Sequence, residues 1–392
     1  MKIFKSVLLG LVIVLFIITM GFRINMPERD SIIEDKPAPL PEENSASAEE
    51  SPEPTPEPTP TPTPEPEPEY FTISVIGDCT LYSHQNLAPT SPYSYTGRMG
   101  EDFAYSFSNT AEYFENDDFT ISNLECNFSD KWLYSESMFH FLAPTAYAQI
   151  LLEGGVDFVT TANNHIYDFG QAGAESTFET LESYGIPYGK EGEAKLFTTD
   201  SGLKIGIYCD YNYYNPKLEK CLEGIESLKE QGAEYIIMAF HWGDELTYKP
   251  AQEQIDLAHS CIDAGADLIY GSHTHTLQPI EEYNGGLILY SMGNWSFGGH
   301  TTPTDSDTAI VQLKIKRDLD GSISRDGVNI IPCCLSSLLD EAEAKSQSYN
   351  DYRPTPYPED SPGYERVVQK LTGSFEGKDG VIDYTDWFNS YG

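Results

Sequence analysis

From residue 70 onward, short runs of Val, Ile, Phe and Tyr alternate with longer stretches whose apolar residues recur at helical spacing. The short runs predict strands at 71–76, 119–122, 158–162, 204–209, 235–240, 268–270, 287–290 and 308–315. The longer stretches predict helices at 144–153, 172–184, 217–231 and 252–264. Gly or Gly-Ala follows each one, and glycine readily takes the left-handed backbone that closes a helix. Strand and helix in alternation predict an α/β domain with helices packed on sheet faces. No long-period repeat is visible.

The first 70 residues follow a different pattern. Residues 6–22 carry no charge and lie between Lys5 and Arg23. A spanning helix needs ~20 apolar residues, with about 17 as the lower limit. The flanking basic side chains can snorkel to the headgroups. Residues 1–26 are therefore read as a cytoplasmic tip and transmembrane anchor. A cleaved signal peptide is the rival, but Thr19-Met20-Gly21-Phe22 is a poor cleavage site. Residues 27–69 hold thirteen prolines and thirteen acids without an aromatic. Such a segment cannot bury enough apolar surface to offset its chain entropy, and it reads as a disordered linker. Alternating prolines favour polyproline II, so 52–69 would reach about 55 Å. The basic start lies before the span, which puts the rest of the chain outside the cytoplasm, tethered to the cell membrane by one pass. A folded domain is expected over 70–335. A polar extension over 336–392 is expected to pack on it, with a short helix at 365–371.

Charge changes the list of partners. The chain has 62 acidic and 23 basic residues, a net of −39. The first 70 residues contain 13 acids and 5 bases, so the remainder keeps 49 acids and 18 bases. Binding to a phosphate backbone needs clustered Lys and Arg, so nucleic acid is excluded as a partner.

The polar residues just beyond the predicted strands carry the chemistry. They are Asp78, then Asn123-Leu124-Glu125, then Asn163-Asn164-His165 with Asp168. His241-Trp242-Gly243 with Glu245, and Ser272-His273-Thr274-His275, follow. In open α/β sheets, ligands bind beyond the carboxyl ends of the strands. A lone His at a strand end is usually structural. Five strands delivering carboxylate, amide and imidazole to one edge point instead to a metal site without thiolate. That ligand mix suits Mn, Fe, Zn or Mg.

These blocks resemble the CapA family, the poly-γ-glutamate capsule-synthesis proteins of bacteria. The resemblance is carried by Gly77-Asp78-Cys79-Thr80-Leu81, Asn123-Leu124-Glu125, Ala162-Asn163-Asn164-His165 with Asp168 and Gly170, His241-Trp242-Gly243-Asp244-Glu245, Gly265-Ala266-Asp267, Gly271-Ser272-His273-Thr274-His275 and Tyr290-Ser291-Met292-Gly293-Asn294. They run in order from 71 to 332. The family is itself similar to calcineurin-like metallophosphoesterases. That implies a four-layer α-β-β-α sandwich and a pair of divalent ions. By this resemblance Asp78 holds the first ion, Glu125 stands at the bridging position, and Asn164 binds the second. His241, His273 and His275 complete the shells. His165 is the non-ligand acid, oriented by Asp168, and Glu245 and Asn294 line the site. The sequence departs from the phosphoesterase pattern at Thr80, where a His is usual, and His84 fills that role if its loop folds back. Glu125 itself replaces an Asp. The implied activity is metal-dependent hydrolysis of an anionic polymer or phosphoester, with membrane subunits of a polymer synthase as partners. A non-enzymatic scaffold that only binds polymer, or a metallophosphatase of another envelope substrate, are the alternatives.

Seven cysteines follow the apolar segment, at 79, 126, 209, 221, 261, 333 and 334. No C-x-x-C spacing occurs, so no zinc cluster is expected, and the thiols read as small buried residues. Tyr211, Tyr213 and Tyr214 form an aromatic cluster placed to rim the site.

Overall fold

The predicted strands exist, and those at 71–76 and 235–240 run on into Asp78 and His241. The structure, a computed structural model, describes residues 66–84, 86–211, 217–339 and 350–377. The expected anchor and nearly all of the expected linker, together with Tyr213 and Tyr214, lie outside these. Among the described residues no helix is long and apolar enough to cross a membrane.

In chain order the elements are β1 (Glu69–Thr80), α1 (Tyr95–Met99), α2 (Ala111–Phe114), β2 (Phe119–Leu124), β3 (Asn127–Phe128), β4 (Leu142–Ala143), α3 (Ala148–Glu153), β5 (Phe158–Thr160) and α4 (Gly170–Tyr184). There follow β6 (Tyr188–Gly189), β7 (Glu193–Thr198), β8 (Lys204–Tyr211), α5 (Leu218–Glu230), β9 (Tyr235–His241), α6 (Gln252–Asp263), β10 (Leu268–Ser272), β11 (Ile280–Tyr283) and β12 (Gly286–Leu289). The chain continues through β13 (Asn294–Phe297), β14 (Asp307–Arg317), β15 (Ile323–Cys334), β16 (Thr355–Pro356) and α7 (Pro362–Leu371).

Two mixed sheets form. The first has the order β16-β15-β14-β1-β2-β5-β6, with β13 also paired to β1. The second has the order β11-β12-β10-β9-β8-β7. Side chains alternate across a strand, and β9 shows the result. Tyr235, Ile237 and Ala239 enter a core that also takes Ile73, Val75 and Ile121 from the first sheet. Ile236, Met238 and Phe240 point the other way, onto Ile225 and Leu228 of α5 and Leu257 of α6. A third cluster covers the far face of the first sheet, with Ile76 and Leu124 under Phe107, Phe114, Leu151 and Leu181. The sheets thus share one core and carry helices on their outer faces.

Register brings the site residues level. Asp78 lies beside Asn123 of β2 and Asn294 of β13. His241 lies beside Ser272 of β10 and Tyr211 of β8. A bulge between Val75 and Asp78 lets β1 leave β14 and pair with β13. Gly77 is required there, because a Cβ would sit 2.2 Å from the Gly293 carbonyl oxygen. The helix stop signals hold, and Gly185 takes φ 71° at the end of α4. The C-terminal helix starts earlier than the pattern predicts, because Ser361 caps it and Pro362 opens it.

Candidate metal centre

Three strand ends of the first sheet face three of the second across the end of the shared core. Asp78 is fully buried at the end of β1. Its Oδ1 accepts from Asn123 Nδ2 at 2.8 Å and its Oδ2 from the His273 backbone N–H at 3.2 Å. Glu125 lies one residue past β2 and is also buried. Its Oε1 lies 3.4 Å from His241 Nε2 and 3.9 Å from His165 Nε2. Its Oε2 accepts from Thr80 Oγ1 at 3.4 Å and lies 4.0 Å from His275 Nδ1. Thr80, which departs from the phosphoesterase pattern, thus steadies the carboxylate instead of presenting an imidazole.

Two groups of ligand-type atoms result, and Glu125 belongs to both. One is Glu125, His241 and His273, the other Asp78, Glu125 and His275, with the ligand atoms of each group within 4.8 Å of one another. Asn164 adjoins the first, its Oδ1 2.7 Å from His241 Nε2, and His273 Nδ1 lies 3.0 Å from that same nitrogen. His241 is aimed by contacts at its other nitrogen, with Ser272 Oγ at 2.9 Å and Asn123 Nδ2 at 3.3 Å. Asn294 Oδ1 lies 2.8 Å from His275 Nδ1. Such contacts fix the ring orientations that metal ligation needs.

The His273–His275 turn is strained. His273 has φ 96° and His275 has φ 56°, values that residues with a Cβ seldom adopt. Strain of this kind costs roughly 1–3 kcal/mol per residue and persists where the surroundings fix it, often at functional sites. Here Thr274 bonds to Thr276 and Ser291, and Asp78 takes the His273 N–H.

The electrostatics match a cation site. Burial and the neighbouring Glu125 push Asp78 up to about 8. Burial would also raise Glu125, but His275, His241 and His165 outweigh it and hold the group well below the usual carboxylate range. Desolvation works against a charged His275, yet Glu125, Glu245 and Asp78 push it up to about 9. Burial and the other imidazoles push His273 well down. Oε1 of Glu125 is buried without a hydrogen bond of good geometry. A buried oxygen of this kind, among carboxylate, imidazole and amide donors, fits a divalent cation.

His165 stands beside these groups. Asp168 Oδ2 lies 2.6 Å from its Nδ1, and Ser137 Oγ donates to Asp168 Oδ1 at 2.8 Å. Burial disfavours the charged ring, but Asp168 and Glu125 raise it above the ordinary histidine value. Of the residues assigned from the sequence, Asp78, Glu125, Asn164, His165, His241, His273, His275 and Asn294 are brought together. Glu245 reaches His275 through its charge. His84 is not brought in. Its loop turns its Nε2 to the Met138 carbonyl at 3.1 Å and its ring to His140 at 4.8 Å, so it belongs to neither group of ligand atoms.

Sequence reasoning gave no role to Asn123, Ser272 or Ser137. The first two stand inside the quoted blocks, so proximity to a ligand was the available signal; Ser137 lies in an unremarkable polar stretch and offered none. Tyr211 does rim the site, its ring 5.8 Å from that of His241. All seven cysteines are buried and unpaired.

A family model described as bacterial capsule synthesis protein PGA_cap matches residues 72–298. The chain belongs to this family. The PGA_cap match begins in β1, ends just beyond β13, and so takes in every residue of the two ligand groups. Among curated relatives, the capsule biosynthesis protein CapA of Bacillus anthracis is 28% identical over 72% of this chain and 74% of its own. The PGA biosynthesis protein CapA of Bacillus subtilis is 24% identical over 71% of this chain and 73% of its own. Haemophilus influenzae NAD nucleotidase aligns over 78% of this chain and 67% of its own at 15% identity, but its TM-score of 0.42 is too loose to bear on activity.

Proposed function

We propose that this PGA_cap protein acts in capsule or poly-γ-glutamate biosynthesis as a metal-dependent hydrolase, held at the cell membrane by its N-terminal segment with the domain outside the cytoplasm. The reading includes a metallophosphoesterase-like four-layer sandwich, two divalent ions, and an anionic polymer or phosphoester as substrate. Membrane subunits of a polymer synthase are the partners. The observation that carries it is the sharing of Glu125 by two groups of closely spaced ligand atoms, with the His165–Asp168 pair alongside.

Asp78, Glu125 and His275 would hold one ion, and Glu125, His241, His273 and Asn164 the other. Bound there, the pair would polarise the attacked group and make water a stronger nucleophile. The protein's own part is positional and protonic. Asn123 and Ser272 aim His241. Asp168 takes Nδ1 of His165, which leaves Nε2 facing Glu125 to hold a proton and pass it to a leaving group. Burial keeps bulk water from competing for these bonds.

The test uses the full chain in detergent. Elemental analysis should find divalent metal, and a panel of phosphoesters and γ-glutamyl peptides should show chelator-sensitive hydrolysis. His165→Ala should keep its metal and lose about 10²–10⁴-fold in kcat. Protein without bound metal and without turnover would sink the proposal. A second reading, a polymer-binding scaffold, is favoured by Thr80, which leaves one ligand group without the extra imidazole. It prevails if His165→Ala supports normal polymer output while replacement of the N-terminal segment abolishes it.

A further inference from the structure

Trp132, Tyr134 and Met138 are 81%, 67% and 55% exposed, and Trp132 is the most exposed large apolar side chain among the described residues. All three lie in the segment 129–141, which joins β3 to β4. The segment is tied down on either side of Trp132 and Tyr134. Asp130 accepts from the backbone N–H and hydroxyl of Thr145 at 3.0 and 2.6 Å. Ser129 N–H donates to the Ala143 carbonyl at 2.9 Å, and the Met138 carbonyl lies 3.1 Å from His84 Nε2. At the centre, Ser137 donates to Asp168, the partner of His165. Trp132 and Tyr134 lie between these ties, which shorten the free stretch of backbone that a partner would have to order. Exposed aromatics held in this way mark contact surfaces. Ser137, three residues past Tyr134, links this segment to the His165–Asp168 pair.

The chemistry of the segment narrows that ligand. Its charged residues are Asp130, Lys131 and Glu136, one cation against two acids, in a folded part already rich in acid. A polyanion finds no complement here. An anionic lipid surface would meet two acids against one lysine in the same short segment, with no basic cluster to hold it. The two rings lie 6.5 Å apart at 43° and offer flat apolar faces with a polar N–H and O–H at their edges. A neutral sugar ring has the matching form, an apolar C–H face bordered by hydroxyls.

We infer that segment 129–141 is a binding platform for neutral saccharide units, with Trp132 and Tyr134 stacking on sugar faces. This goes beyond hydrolysis at the ligand groups, because the platform needs no metal. The experiment is calorimetric titration of the chelator-treated full chain with three probes: a hexamer of β-1,4-linked N-acetylglucosamine, cellohexaose and a γ-linked glutamate hexamer. At least one neutral hexamer should bind saturably. A W132A/Y134A double variant, whose melting temperature should match the parent's because both rings are exposed, should bind at least tenfold more weakly. Absence of binding by both neutral hexamers, an unchanged double variant, or preference for the glutamate hexamer overturns the inference. So does quenching of Trp132 by brominated lipid in nanodiscs, read as the difference from W132F. Loss of hydrolysis with saccharide binding retained counts against the hydrolase alone.

Discussion

Glu125 is one methylene longer than the aspartate it replaces, and its carboxylate lies within 3.4–4.0 Å of Thr80 and three imidazoles. Removing it should therefore do more than removing any single neighbour. On the proposed two-ion reading, Glu125→Ala should strip both ions, whereas His273→Ala should leave the Asp78–His275 group able to hold one. Elemental analysis of the two variants checks this. The protonation of Asp78 sets a second expectation. Burial and Glu125 raise its folded value to about 8, so a proton and a cation compete for it in the neutral range. His275 of the same group is raised to about 9, so metal affinity should rise with pH up to about 9, falling about tenfold per pH unit just below 9 and more steeply below 8, where a second proton must leave. Titrations with Mn²⁺ between pH 6 and 9, in buffers of different ionisation enthalpy, will show the released proton. A flat profile would mean that neither Asp78 nor His275 takes part.

Among the elements, the longer strands with buried faces were legible, while the exposed and the shortest ones were not. The strands β9 and β10 read directly, because every position is apolar or ends in a site residue. The twelve residues of β15 did not, since Ser, Arg, Asp, Gly and Asn keep its first nine residues at least partly exposed. Its ladder with β14 holds it in place, and no local pattern reports a ladder. The strand β13 is four residues long and forms only because the bulge at Gly77 opens an edge on β1. The ligands were legible for the opposite reason: they sit at the ends of the easiest strands. The helix α7 carries a buried network the pattern gave no sign of. Lys370 Nζ bonds Asp305 at 2.8 and 2.6 Å and Asp307 at 2.6 Å, and Arg366 grips Asp307 with two bonds of 2.6 Å. Lys370→Met leaves buried carboxylates short of a cation and should destabilise the domain by about 3–5 kcal/mol in urea unfolding. Burial works to raise Asp307, but Arg366 and Lys370 outweigh it and depress the folded value below the ordinary 3.8. Its contribution is therefore complete above 3.8 and is lost as the pH falls through the lower folded value. The Lys370→Met variant should show less of that acid sensitivity than the parent.

At the scale of the whole molecule, the folded part combines a large excess of acid with a proposed anionic polymer, two charges of the same sign. Contact is then expected to be local and bridged by divalent cations. Poly-γ-glutamate retained by the immobilised full chain should elute with chelator and rebind when Mn²⁺ is restored; retention that ignores chelator would refute the bridge. The six candidate ligands also fall on either side of a seam, with Asp78, Glu125 and Asn164 at or beyond strand ends of the first sheet and His241, His273 and His275 at strand ends of the second. The apolar core between the sheets attracts without direction, so by itself it resists separation better than sliding. A pair of cations in the seam would act as a mechanical pin that fixes one sheet's offset against the other. Stripping them should loosen the structure by shear before it melts. The sign would be faster amide exchange at the carboxyl ends of β1, β2, β9 and β10, with the strand centres still protected.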